Sequence, residues 1–201
     1  LLTGHVPRPG AGSLAHTAIL VGGVIDALAP SHETFGGSFV FPWQEEDSKR
    51  VGAQILIAAA RELGAEYGYY FVRDDIFLPH GYSAGLSGGL AAFSVPENEQ
   101  GELRAIGDWI KLVRAGNHSR DGAWFMRDLY EVNLLSSFHL SKSINGMTLR
   151  DWIEQTPDAG RLEWIDQERC LWHIDSAEMG AVRLELIKAG LTVARYPQVY
   201  R

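Results

Sequence analysis

The chain predicts an α+β fold: an antiparallel β-sheet with helices packed mainly on one side, in a single domain over residues 1–201. Three observations carry this expectation. Val51, Ile55, Ala59 and Leu63 recur at helical spacing, and Leu103, Ile106, Ile110 and Val113 do so again. Tyr67 to Val72 is aromatic and β-branched, as strands prefer. From Arg127 to Ala194 short helix caps, strands and turns follow one another with little spacing between them. Hydrophobic residues make up 46% of the 201, enough for one sizeable core.

The elements are justified in chain order. Residues 1–12, with Gly4, Pro7, Pro9, Gly10 and Gly12, read as an extended lead-in. Ser13 is placed to cap a helix from Leu14 to Leu28 that Pro30 would stop. Gly22-Gly23 weakens that helix, and a buried strand over Ala18 to Ile25 competes with it. Phe39 to Phe41 is a short strand ending at Pro42. Glu45, Glu46 and Asp47 then complement the positive end of the next helix, which Gly64 closes. Tyr67 to Val72 and Tyr82 to Val95 suggest adjacent antiparallel strands, and the helix over residues 103–113 is closed by Gly116.

Further on, Asn133 is placed to cap a short helix from Leu134 to Leu140. Thr148 with Asp151 approaches a capping box for a helix over Leu149 to Gln155. Arg161 to Asp166 and Arg169 to Ile174 form two strands around Gln167-Glu168. Asp175 and Glu178 repeat the capping-box spacing before a helix to Ala189 that buries Met179, Val182, Leu186 and Ile187, with Gly190 as its stop. Leu191 to Ala194 is a last candidate strand.

Composition narrows the function. A formal charge of −7 disfavours nucleic acid and anionic membrane as partners, because both are polyanions, and it suits a basic protein. Residues 154–178 hold seven carboxylates against two arginines, so −5 of the −7 is concentrated there. Cys170 is the one cysteine; it lies in an apolar run and reads as a buried, inert thiol in a reducing cytoplasm. Leu14 to Leu28 is short for a membrane span and is broken by glycines.

Catalytic signals are sparse. Gly81-Tyr82-Ser83-Ala84-Gly85 matches the nucleophile-elbow pattern, in which a serine projects from a tight strand-to-helix turn. A serine hydrolase would use Ser83 with Asp128, or Asp108, and with His173 or His139. Pro79-His80 interrupts the strand that should feed the elbow, and a pattern this loose recurs by chance among 22 glycines. The seven histidines show neither H-x-x-x-H nor H-x-H spacing, so no metal site is expected. Gly85 to Gly89 lacks a Lys-Ser/Thr pair, so no phosphate-binding loop or other cofactor is implied.

The order Asn133-Leu134-Leu135, His139-Leu140, Gly146-Met147-Thr148-Leu149-Arg150-Asp151-Trp152-Ile153, Gly160-x-Leu162, Leu171-Trp172 and Ala189-Gly190-Leu191 resembles immunity proteins of bacterial polymorphic-toxin and type VI secretion systems. The nearest type is the group encoded beside toxins with a restriction-endonuclease-like nuclease domain. The likeness lies in residues 127–194, and the strand over Tyr82 to Val95 is similar to that group's central strand. It implies no catalytic residue and no turnover. It implies stoichiometric neutralisation of a cognate toxin whose active-site groove is basic, inside the producing cell. The acidic segment with Glu163, Asp166 and Glu168, and Trp164 as an anchor, is the expected contact surface. A serine hydrolase at Ser83 and a different small adaptor or regulatory binding module remain the alternatives. The sequence leaves the oligomeric state and the toxin's identity open.

Overall fold

A computed structural model describes residues 45–73 and 126–192, with side chains at 48–71 and 126–192, together with the backbone of residues 3–4, 16–25 and 33–42. Its elements are β1 (Thr3–Gly4), β2 (His16–Ile25), β3 (Glu33–Pro42), α1 (Glu45–Leu63), β4 (Tyr67–Arg73), β5 (Val132–Ser136), α2 (Ser137–Leu140), β6 (Ser143–Ile144), β7 (Met147–Thr148), α3 (Leu149–Gln155), β8 (Arg161–Trp164), β9 (Arg169–His173) and α4 (Met179–Lys188). The main sheet runs β1-β3-β2-β4-β5-β9-β8, antiparallel throughout except for the parallel β1–β3 pair. The fold is α+β, built on this antiparallel sheet.

Strand alternation divides the interior into two layers. On one face Tyr67, Tyr69, Phe71, Leu135, Cys170 and Trp172 pack with Leu140 of α2, Leu149, Trp152 and Ile153 of α3, and Met179, Val182 and Leu186 of α4. On the other, Tyr70, Val132, Leu134 and Leu171 pack against Leu56, Ala59 and Ala60 of α1. Three described helices therefore share one face, and α1 covers the opposite one.

Four local expectations are corrected. Residues 16–25 form β2, so the competing strand over Ala18 to Ile25 holds and the helix from Leu14 to Leu28 does not; the β-branched Thr17, Ile19, Val21, Val24 and Ile25 favour extension, and Gly22-Gly23 weakens a helix. The buried stripe of α1 is Ser48, Gly52, Leu56, Ala59 and Ala60, one position on from the expected series, and Leu63 at its end is 54% exposed. The Gly52 position has no room for a Cβ beside the Tyr70 ring, so glycine lets helix and sheet close up. Asn133 is no cap: it lies in β5, fully buried, where its amide donates to Tyr130 O (2.6 Å) and accepts from Tyr130 N–H (3.1 Å). The following helix spans only Ser137–Leu140 and starts after Ser136, with His139 closing a capping box. In α4 the buried set is Met179, Val182, Arg183 and Leu186; Ile187 is half-buried, and Glu178 makes no side-chain cap.

Other local signals hold. The Thr148 hydroxyl accepts from Asp151 N–H (3.1 Å) and donates to the Asp151 carboxylate (2.6 Å), starting α3 where expected. Gly190, at φ +69°, ends α4 in a Schellman arrangement, with Leu191 N–H donating to Leu186 O and Gly190 N–H to Ile187 O. Thr192 makes one parallel bridge to Met126; Ser13, the 82–95 strand, the 103–113 helix and Ala194 lie outside the described residues.

Candidate functional site

The β8–β9 hairpin lies at one end of the described sheet, and it carries all four residues of the expected contact surface. Its turn is built by Asp166. Oδ1 accepts the N–H groups of Glu168 (2.9 Å) and Arg169 (2.8 Å), while Oδ2 accepts from Arg169 Nε (2.9 Å) and Nη2 (2.7 Å). Slight burial works against the charge, but these donors outweigh it and hold Asp166 below the ordinary carboxylate range. Arg169 Nη1 also donates to Ala60 O near the C-terminal end of α1, where a cation complements the helix dipole. Asp166 is thus first a turn-former.

Glu163 and Trp164 project to opposite faces of the sheet. On the α1 side, Glu163 Oε2 lies 2.9 Å from His173 Nε2 and 3.7 Å from Arg161 Nη1. Burial, and then Arg161, lower the His173 pKa, and Glu163 only partly offsets them. Glu168 stands exposed at the turn, close enough to Glu66 to add to the burial that raises the Glu66 pKa.

On the α3 side, Trp164 is 41% exposed, and the Arg150 guanidinium sits 4.9 Å from its ring centroid. Arg150 Nε is itself held by Glu154 (3.1 Å). Trp164 and Leu162 form one wall of an open groove of about 540 Å³ that Ile153, Glu154, Pro157 and Asp158 complete. The loop at its base is fixed by Trp172 Nε1 donating to Ala159 O (2.7 Å). Gly160 follows at φ +89°, where a Cβ would lie 2.1 Å from His173 O.

The groove and the seat of Arg150 on Trp164 are not legible in the sequence, whereas Glu154 is, as the first carboxylate of the acidic segment. The four-residue Arg150–Glu154 spacing was the available signal, and it reads equally as an ordinary helix-surface pair.

Of the residues of the hydrolase alternative, Asp128, His139 and His173 are described, each with partners of its own. Ser83 and Asp108 lie outside the described residues. Asp128 is buried, and its Oδ1 accepts from Arg183 Nε (2.5 Å) and Leu129 N–H (2.8 Å); burial raises its pKa against the pull of Arg183. His173 bonds Glu163, and His139 is sealed in the core with Nδ1 3.0 Å from Ser136 Oγ, stacked on Tyr67. Cys170 is fully buried, and burial pushes its thiol up to about 12, so it stays neutral.

Among the described residues, no group of three or more His, Cys, Asp or Glu side chains could hold a metal ion, and no helix is long and apolar enough to cross a membrane. Comparison of the chain with family models, curated proteins and solved structures finds no match.

Proposed function

We propose that this chain is an immunity protein that binds a cognate secreted toxin, a nuclease, and neutralises it by one-to-one occlusion. The observation that carries the reading is the terminal β8–β9 hairpin, which offers a half-exposed tryptophan beside a groove with carboxylates on both sides of the sheet edge. Aromatic anchors of this kind contribute most of the affinity at protein interfaces, and flanking charge mainly speeds and orients encounter. A nuclease groove is basic because its substrate is a polyanion, so an acidic blocker uses the same attraction. The order of structural motifs over residues 127–194, similar to that of immunity proteins, supports the reading independently.

The test is co-expression with the product of the neighbouring gene, followed by purification and titration of its nuclease activity. The reading expects a stable complex and activity falling linearly to zero near one equivalent. A neighbouring product that neither binds nor loses activity overturns it.

A further inference from the structure

The hairpin also has a backbone edge along which no described residue pairs. Ile165 N–H donates to Arg169 O (2.9 Å), which makes that pair a hydrogen-bonded position of the antiparallel ladder. Opposed residues alternate along such a ladder, so Glu163 and Arg161 also direct their backbone groups toward β9. The N–H and C=O groups of Leu162 and Trp164 therefore point away from β9, off the end of the sheet.

We propose that this edge receives an extended segment of the protein partner, added as a strand beside β8 and alternating apolar with lysine or arginine side chains; the inference rests on the inhibitor reading above. The backbone groups of Leu162 and Trp164 hold the added strand. On the α3 side its apolar side chains enter the groove against Trp164, with Glu154 and Asp158 at the rim. Its basic side chains compete with Arg161 for Glu163 on the opposite face and reach Glu168 at the turn. β8 has only four residues, so the ladder it offers is short and side-chain fit decides which strands bind.

Charge disfavours a second copy of this chain in one register only. Antiparallel pairing of two β8 strands centred on Glu163 would set the two Glu163 carboxylates opposite each other, and such like-charged pairs are destabilising. Pairing centred on Leu162 would set Arg161 opposite Glu163, and the dependence on protein concentration measured below separates that case.

The experiment uses the full chain and a short synthetic peptide alternating lysine with valine or phenylalanine; a control peptide carries glutamate in place of lysine. Amide hydrogen exchange is followed by NMR. Free protein should exchange the Leu162 and Trp164 amides fast, and the basic peptide should slow both by about tenfold or more while the acidic one does not. Trp164→Ala should weaken peptide binding while leaving the exchange of core amides in β5 and β9 unchanged. Basic-peptide binding without protection of these two amides, equal binding of the acidic peptide, or protection that rises with protein concentration alone would each overturn the proposal. Repeating the exchange on the complex with the neighbouring-gene product separates the two readings. A complex that leaves Leu162 and Trp164 unprotected ends strand addition and keeps the inhibitor; absence of a complex ends the inhibitor reading itself.

Discussion

The Asp128 carboxylate and the Arg183 guanidinium are both almost fully buried, and each is the other's charge partner. Burial disfavours both charges, so removing one partner leaves the other stranded. Asp128→Ala should cost about 3–5 kcal/mol, read as a lower urea midpoint, with Arg183→Met the milder change because the buried carboxyl it leaves can take up a proton, whereas the guanidinium left by Asp128→Ala cannot lose one. An unchanged midpoint in Asp128→Ala would contradict the account. His139 adds a pH dependence. Ser136 N–H donates to its Nδ1 (3.3 Å), and complete burial depresses the ring to about 3, against an unfolded value of ~6.5. The unfolded chain therefore takes up the proton first as the pH falls. The stability that rests on the neutral ring is complete above about pH 6.5 and is lost toward pH 3, at up to about 1.4 kcal/mol per pH unit. His173, also depressed, acts in the same sense; Asp128, raised, acts in the opposite one. Urea midpoints measured at pH 7 and pH 5 should show the loss in the parent and a shallower one in His139→Asn.

At the level of elements, the β8–β9 hairpin depends on the turn before it as much as on its own ladder. Gly160→Ala puts a Cβ into His173 O at a left-handed backbone position, so it should destabilise the fold by more than about 2 kcal/mol, measurable by denaturation. Legibility in the sequence followed the range of the interactions. α3, the hairpin and the Gly190 stop were readable because a cap, an alternation or a glycine fixes each within a few residues. β2 stayed open between helix and strand because an apolar run satisfies both alike, and its ladders to β3 and β4 decide the matter. Asn133 was misread because its side-chain partner Tyr130 lies upstream and outside any helix. The buried stripe of α1 shifted because Gly52 lets the helix approach Tyr70, a packing that periodicity does not encode. In the candidate surface, Glu163, Trp164, Asp166 and Glu168 were named from composition, but their division between two faces and the structural duty of Asp166 follow only from strand register.

For the whole molecule, the described part of the sheet is covered by α1 on one face and by α2, α3 and α4 on the other, and no described strand pairs with the outer edge of β8. Glu154, Asp158, Glu163 and Glu168 lie at that end, so association through it should depend on salt. Glu168→Lys should slow association with a basic partner and flatten its salt dependence without changing stability, as stopped-flow mixing at low and high salt would show. Asp166 is unsuitable for that experiment, because reversing it dismantles the turn. The most direct test of stoichiometric blocking through this hairpin is calorimetric titration of the neighbouring-gene product with the parent chain and with Trp164→Ala. The account predicts one-to-one binding in the parent and a loss of about 2 kcal/mol, roughly thirtyfold in Kd, in the variant, with nuclease activity restored in proportion. Equal affinity and equal inhibition by the two proteins would contradict it.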